Sequence, residues 1–402
     1  MSDIEIESII IKIQVDKIKE NISQKIYNHN GLDYKILNYD KNYLSYDDIE
    51  AFKCRSVLLS QPENKVLCFS PPKSISYTEF TDKNSKIGDD IYVNEYIEGT
   101  MINLFYDERA GKWLLVTKSA VGGNYFYYRT NYGGIRNKKQ KTFYQMFMEA
   151  FRMDENSDLS DIFLLQDLPK TYCYSFVLQH PDNHIVLDIT EPRVYCIAVY
   201  ELLINNLIKV IPINEVEKWR CFSAGIVEFP KQICIDSYDD LYNSISSIQN
   251  SPDLLGVMIM NLTTGERTKI ENPIYYQKKV LRGNNPNLQY QYLCLARIQK
   301  VEEFLYNFPR YKRLFKKFSY DYNELVSNVH TSYLQRYVQK KDIKISEQYL
   351  PHIHRIHHDI YIPSLNIEAP RIIKRAIVKE YFDKMEPREL LYHLNYIIRL
   401  TH

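Results

Sequence analysis

Between about residues 54 and 300 the sequence consists of short β-branched and aromatic runs separated by Gly, Pro, Asn and Asp. Runs of this kind predict strands joined by turns. They are SVLLS, KVLCFS, TMINLFYD, KWLLVTKS, YCYSFVLQ, HIVLDIT, YCIAVYELL, LLGVMIMN and RTKIENP. Two other stretches, TFYQMFMEAFRM and SYDDLYNSISSIQNS, have the apolar spacing of helices. Because strands and helices do not alternate regularly, the pattern predicts an α+β fold with antiparallel hairpins and excludes a doubly wound sheet.

These patterns divide the chain into three parts. Residues 1–50 are predicted to form a helix followed by a polar, Tyr-, Asn- and Asp-rich lead-in. Residues 51–300 form the α+β domain. In residues 301–402, amphipathic segments bounded by prolines predict an all-α domain. We place the boundary between the two domains near residue 300.

Composition restricts the class of protein. The chain has 402 residues, of which 45% are hydrophobic and 25% charged, with a net charge of +1, so a large folded core is expected and disorder is excluded. Seven scattered cysteines without a CxxC pair favour buried thiols in a reducing compartment over disulfides or a zinc ribbon. The N-terminus is unlike a signal peptide, and no apolar run reaches a bilayer-spanning length. We expect a soluble, cytoplasmic protein without a membrane partner.

Residues 301–402 have a mild basic bias, with 17 Lys or Arg against 12 Asp or Glu. Such a bias is compatible with phosphate contacts, although it is no polybasic arm. The same segment contains His354 and His358, whose i, i+4 spacing occurs in zinc sites. No third ligand can be named, and isoleucines at helical spacing indicate ordinary packing, so no metal site is predicted.

Four segments together resemble one family. They are SVLLSQPENKVLCFSPPKSISYTEF, NEYIEGTMINLFYDERAGKWLLVTKSAVGG, YSFVLQHPDNHIVL and LLGVMIMNLTTGERTKIENPIYY. In order, spacing and turn residues they resemble the motifs of bacteriophage T4-type RNA ligases (the T4 RNA ligase 1 family, of the covalent nucleotidyltransferase superfamily). The resemblance implies an antiparallel-sheet nucleotidyltransferase domain (ATP-grasp-like ligase) with a nucleotide-sized groove between its sheets, and a role in RNA repair. This ligase type and the A/T-biased composition are also typical of large DNA viruses.

The resemblance assigns a position to each catalytic group. In the family a lysine amine attacks the α-phosphate of ATP and forms a lysyl–AMP intermediate. Here that position is Tyr96, and Glu98, Gly99 and Thr100 follow where the family has Asp-Gly-Ser. The glutamates of the next two motifs correspond to Val177 and Leu255.

The remaining positions are partly retained. Lys269 matches the first lysine of the last motif, whereas the second lysine has become Glu271. The other matching positions are Lys73, Lys118, Asn183 and Gly256. The resemblance implies phosphate contacts for the lysines and nucleotide contacts for Gly99, Thr100, Asn183 and Gly256. Several also have structural interpretations, since Glu98-Gly99 can be a tight strand entry and Asn183 a turn residue.

These substitutions argue against the family's reaction. A phenol, with a pKa near ~10, is a poor substitute for a tuned amine. Val177 and Leu255 remove oxygen ligands that Mg²⁺ requires. Glu271 is expected to add repulsion towards phosphate. We therefore predict a catalytically degenerate protein, a pseudoenzyme that binds RNA or a nucleotide and has no cofactor.

Two alternatives remain open. The first is an active ATP-dependent RNA ligase that uses Lys73 or Lys118 as nucleophile, with ATP and Mg²⁺ as cofactors and Glu98 at the metal. The second is a scaffolding protein of a larger complex without a nucleotide. If the protein is the predicted pseudoenzyme, we expect Tyr96 to face an open groove near Lys118 and Lys269. We also expect the helical tail to contact RNA (tRNA, for example) or a protein partner.

Overall fold

The computed structural model describes residues 10–15, 21–40, 44, 48–127, 140–247, 254–366 and 371–400. The chain divides into two compact units between Val280 and Leu281, and the first unit also contains the N-terminal strands. This division lies earlier in the chain than the expected domain boundary near residue 300. Its position is explained by helix α8 (Leu288–Arg297), which packs against later helices of the second unit.

The first unit contains the described strands. They are β1 Ile10–Lys12, β2 Ile22–His29, β3 Leu32–Tyr39, β4 Val57–Ser60, β5 Val66–Phe69, β6 Ile91–Glu95, β7 Thr100–Asp107, β8 Lys112–Thr117, β9 Tyr172–Gln179, β10 Arg193–Leu202, β11 Leu207–Ile211, β12 Val227–Glu228, β13 Gly256–Asn261 and β14 Arg267–Glu271. Its described helices are α1 Ile49–Lys53, α2 Tyr77–Lys83, α3 Phe143–Ala150, α4 Leu164–Asp167, α5 Ile213–Val216, α6 Tyr238–Ser247 and α7 Pro273–Arg282, the last of which reaches the unit boundary.

Within the described residues these strands form three sheets. The largest has the order β1-β11-β10-β9-β7-β8, with β12 added in parallel to β10. A second sheet has the order β2-β3-β4-β5, and a third has the order β14-β13-β6. Every other pairing is antiparallel, so the predicted α+β class with antiparallel sheets is confirmed.

The N-terminal region differs from the expected helix. Its described residues form β1 and the hairpin of β2 and β3, which turns at Asn30 and Gly31. Both turn residues have positive φ, 53° and 81°, as the two-residue hairpin turn requires. The Asn-Gly pair was the sequence signal for this hairpin, and the isoleucines around it are strand residues rather than a helical stripe.

Alternate side chains of β9 point to opposite faces of the largest sheet. In β9, Tyr174, Phe176 and Leu178 lie in the core that the largest sheet shares with α3 and α5. Cys173 points to the opposite face, into the core between the largest sheet and the β2-β3-β4-β5 sheet. Val177, two positions on from the buried Ser175, therefore lies on that second face too, beyond the end of its core.

The second unit is helical, as predicted for the C-terminal part of the chain. Its described helices are α8 Leu288–Arg297, α9 Val301–Asn307, α10 Lys312–Tyr333, α11 Leu350–Arg355, α12 Ile362–Ser364, α13 Arg375–Asp383, α14 Pro387–Leu394 and α15 Tyr396–Leu400. An aromatic cluster holds α9 to α10, where the stacked rings of Phe304 and Phe315 have centroids 4.8 Å apart. None of the described helices combines the length and the apolar character needed to cross a bilayer.

A buried charge pair ties two sheets of the first unit together. Asp107, at the end of β7, is fully buried and accepts hydrogen bonds from the Tyr34 hydroxyl at 2.7 Å and from Arg109 Nη2 at 2.9 Å. Burial alone would raise the pKa of Asp107, but the hydrogen bonds from Arg109 and Tyr34 outweigh it and hold the pKa below its ordinary value. Asp107 therefore connects β3 of one sheet with the β7-β8 turn of another.

Replacing Asp107 by Asn should lower the free energy of unfolding by about 2–4 kcal/mol, because it leaves Arg109 without its counter-ion. Since the pKa of Asp107 is lower in the folded protein, its contribution is fully present above the unfolded pKa and is lost as the pH falls through the folded pKa. The difference between wild type and Asp107→Asn in urea denaturation should therefore shrink below about pH 4.

The neighbouring exposed Glu108 is the matched control for this prediction. It pairs with Lys65 at 3.7 Å in solvent, and Glu108→Gln should change stability by less than about 0.5 kcal/mol. Equal effects of the two substitutions, or a difference that stays constant down to pH 2, would show that the Asp107 charge does not stabilise the fold.

Candidate functional site

An open groove of about 400 Å³ lies in the first unit, between the face of the β14-β13-β6 sheet and the largest sheet. Its lining residues are Tyr39, Arg55, Lys73, Ser74, Asn94, Glu95, Tyr96, Ile97, Gly99, Met101, Val177, Ile197, Pro230, Met258, Met260, Arg267, Lys269 and Lys279. The groove thus combines an apolar wall of aliphatic and methionine side chains with several cations. Its volume is that of a small-molecule site.

The period of two along each strand decides which side chains reach the groove. In β14, Ile270 lies in the core against α6, so Arg267 and Lys269 point the other way, into the groove. In β13, Val257 and Ile259 are core residues, and the alternate residues Met258 and Met260 line the groove. From the largest sheet, Ile197 reaches the groove at the point where the register of β9 and β10 shifts.

Tyr96 lies in this groove immediately after β6. Its backbone N–H donates to the carbonyl of Gly256 at 2.9 Å, which fixes the chain where the side chain emerges. The ring is half-buried, and two ammonium groups approach it, Lys269 Nζ at 5.3 Å and Lys279 Nζ at 5.6 Å from its centroid. The buried ring of Tyr275 lies 6.0 Å away. The structure thus places Tyr96 in an open groove near Lys269, whereas Lys118, which was expected there too, is not a described lining residue.

Glu271 joins the same two lysines. One carboxylate oxygen accepts from Lys269 Nζ at 2.7 Å and the other from Lys279 Nζ at 2.5 Å. Burial would raise the pKa of Glu271, but the two lysines outweigh it and lower the pKa. Burial lowers the pKa of Lys269, whereas for Lys279 the lowering by burial is outweighed by Tyr96 and Glu271, which raise its pKa. The anticipated repulsion from Glu271 is therefore compensated locally by two cations.

Arg267 provides a further positive charge at the groove. It is 6% exposed, and its guanidinium donates to the carbonyls of Pro72 at 2.6 Å and Pro71 at 3.3 Å. Burial lowers its pKa, and the nearby guanidinium of Arg55 lowers it further. Two arginines so close together raise the positive potential of this side of the groove, which favours an anionic ligand.

Of the two lysines proposed as alternative nucleophiles, Lys73 lines the described groove and Lys118 does not. Lys73 lines the groove, with Nζ 3.2 Å from the carbonyl of Ser74 and 5.1 Å from the ring centroid of Phe52. Lys118 is exposed and lies over the Tyr39 ring at 4.9 Å, but it is not among the described residues that line the groove. Only the first of the two is therefore placed at the groove.

Glu98 is buried next to the groove and is not among its described lining residues. It is 1% exposed, and its Oε1 accepts from the backbone N–H groups of Val186 and Leu187, each at 2.9 Å. These bonds explain why the run HIVLDIT is not a strand in the structure, because the Glu98 carboxylate takes the donors that a neighbouring strand would use. Asn183 is also buried, and it donates to the Thr100 hydroxyl at 2.7 Å.

Two glycines of the predicted site allow backbones to approach closely. A Cβ on Gly99 would lie 2.5 Å from the carbonyl oxygen of Leu178, and one on Gly256 would lie 2.2 Å from that of Ile270. Leu255, which precedes Gly256, is buried and is not a described lining residue. Glycine is thus required at both positions by packing, whether or not a ligand binds.

The described groove residues do not fit a divalent metal. Val177 lines the groove with methyl groups, the buried Glu98 accepts from two backbone amides and is not a described lining residue, and Glu271 is held by two lysines. Among the described residues no three His, Cys, Asp or Glu side chains are placed to hold a metal, and this includes His354 and His358. The arrangement is suited to holding an anion next to an apolar group.

Comparison with known proteins finds distant relatives. The chain is 30% identical to an RNA ligase of Rhodothermus phage RM378 over 105 residues, which are 26% of this chain and 22% of the ligase. It is 25% identical to the immediate-early protein ICP-46 homolog of Invertebrate iridescent virus 6 over 279 residues, 65% of this chain and 57% of that protein. The chain thus spans less than two thirds of either relative, and no family model matches it.

Among solved structures, an archaeal ATP-dependent RNA ligase aligns with a TM-score of 0.42 and 11% identity. The alignment covers 92% of this chain and 84% of the archaeal chain.

Sequence reasoning missed Arg55, Arg267, Lys279 and Tyr275. Arg267 had a signal, because it lies two residues before Lys269 on a predicted strand and must share its face. Tyr275 and Lys279 are i, i+4 on α7, a spacing that predicts their mutual contact but not that Lys279 reaches the groove. Nothing comparable marked Arg55.

Replacing Gly256 by Ala should lower the free energy of unfolding by about 2 kcal/mol or more, because the new methyl group meets backbone atoms that cannot move aside. Gly111→Ala is the control, since Gly111 also has positive φ, 64°, but has open space around it. It should cost about 1 kcal/mol through φ alone. Equal shifts of the urea midpoint for the two variants would contradict the requirement for close approach.

Proposed function

We propose that this protein is a catalytically degenerate relative of RNA ligases that binds a nucleoside phosphate, as free nucleotide or as the phosphorylated end of an RNA, without forming a lysyl–AMP intermediate. The observation that carries the proposal is the convergence of the Lys269 and Lys279 ammonium groups on Tyr96, where the family's attacking lysine would stand. Those ammonium groups can hold an oxyanion, whereas Tyr96 offers no amine for attack on phosphorus.

The groove suits the two halves of a nucleotide. Met101, Val177 and Met258 are part of an apolar wall for a base, and the lysines and arginines described above lie along the same groove for the phosphate. The similarity to the phage RNA ligase, although it covers a fifth of that protein, supports RNA as the source of the phosphate. Because the residues do not fit Mg²⁺, binding is proposed to rest on protein cations alone.

An active ATP-dependent RNA ligase is the second candidate. It is favoured by the position of Lys73 in the groove and by the burial that lowers the pKa of Lys269, since attack on phosphorus needs a neutral amine. Against it stand the hydrogen bond of Lys269 to Glu271 and the lack of a fitting metal site among the residues that the structure describes.

Incubation of the purified protein with α-labelled ATP and Mg²⁺ or Mn²⁺ should leave no label on the chain in a denaturing gel. A covalent AMP adduct on the wild-type protein would contradict the proposal. Loss of that adduct in Lys73→Ala, Lys118→Ala or Lys269→Ala would then identify the attacking lysine of an active ligase.

Calorimetry should detect binding of ATP and of a 5′-phosphorylated RNA oligonucleotide, and weaker binding of the same oligonucleotide with a 5′-hydroxyl. Lys279→Ala should weaken the phosphate-dependent part by a factor of about 10 to 100, the range expected for one charge-assisted hydrogen bond. Lys218→Ala, at an exposed lysine outside the groove lining, should have no effect. Absence of all phosphate-dependent binding would instead support a scaffolding protein.

A further inference from the structure

Glu271 holds the two groove lysines in a geometry that an oxyanion would use. Its two carboxylate oxygens each accept from a different ammonium group, at 2.7 Å from Lys269 Nζ and 2.5 Å from Lys279 Nζ. A phosphoryl group can bridge two ammonium groups in the same way, with two of its unesterified oxygens. The carboxylate therefore occupies the position between the cations where a ligand anion would gain most.

The exposure of these three side chains fits a displaceable internal anion. Lys269 and Lys279 are 32% and 33% exposed, whereas Glu271 is 12% exposed. The ammonium groups are thus accessible from the groove, and the carboxylate lies more deeply between them. An incoming anion can contact both lysines without first entering a closed cavity.

The charges also explain why an internal anion is present. Two ammonium groups held close together beside a half-buried ring would repel each other, as the lowering of the Lys269 pKa by Lys279 indicates. One carboxylate neutralises half of that charge and leaves a net charge of +1 for the three groups. A phosphoryl group, which carries up to two negative charges, can neutralise both lysines and so can compete with Glu271.

We propose that Lys269 and Lys279 form an oxyanion subsite for the phosphoryl group of the ligand, and that Glu271 occupies this subsite as an internal phosphate mimic that the ligand displaces. The inference rests on the proposed function, whose phosphate it places between two named side chains. It adds that the protein limits its own affinity, because every phosphate must compete with a carboxylate already bound.

Glu271→Gln tests the proposal, since it keeps the shape of the side chain and removes its charge. The variant should bind inorganic pyrophosphate and ATP about tenfold or more tightly than wild type. Lys279→Met in the Glu271→Gln background should abolish that gain. Glu266→Gln is the matched control, because Glu266 binds Lys83 at 2.9 Å just before the same strand and does not line the described groove.

The binding results for wild type and Glu271→Gln, taken together, distinguish a failure of the phosphate mimic from a failure of the proposed function. Binding by wild type with a gain in Glu271→Gln supports both, and binding by wild type with equal or weaker binding by the variant overturns the phosphate mimic alone. Binding only by the variant supports the mimic and rejects nucleotide binding by the natural chain. No binding by either overturns both. Thermal melting with and without pyrophosphate shows whether Glu271→Gln is folded, and an anion-dependent rise in Tm confined to that variant also supports the mimic.

Discussion

The close approach of two backbones at Gly256 is the constraint on which the groove depends. The Gly256 carbonyl accepts from the Tyr96 N–H at 2.9 Å, and a Cβ at Gly256 would overlap the carbonyl of Ile270. This contact brings the end of β6 to the start of β13 and the end of β14. Tyr96 can therefore stand beside Lys269 and Glu271 only because residue 256 has no side chain.

Charge balance, rather than metal coordination, governs what the groove can hold. Arg55, Lys73, Arg267, Lys269 and Lys279 face Glu95 and the partly buried Glu271, so cations are in excess. Glu98, which the sequence places beside the site, instead anchors the chain at Val186 and Leu187. The groove thus carries side chains suited to binding an anion, and Val177 contributes an apolar surface to it.

Local pattern predicted many strands of the first unit but missed others, among them β6 and β11, and two of its failures have identifiable causes. The helix expected in residues 1–50 was wrong in the described part, where an Asn-Gly turn joins two strands. The run HIVLDIT has the composition of a strand, yet its backbone donors bind a carboxylate from another part of the chain. In both cases a partner distant in sequence, or an unrecognised turn, outweighed local propensity.

The sequence alone placed Tyr96 and Lys269 at strand ends facing away from the core, because side chains alternate between the two faces of a strand once the apolar residues are buried. Only the tertiary structure decided that Lys279, on the helix after β14, returns to that strand and compensates Glu271. The direction in which a helix packs depends on side chains from several elements at once, and no local pattern contains that information.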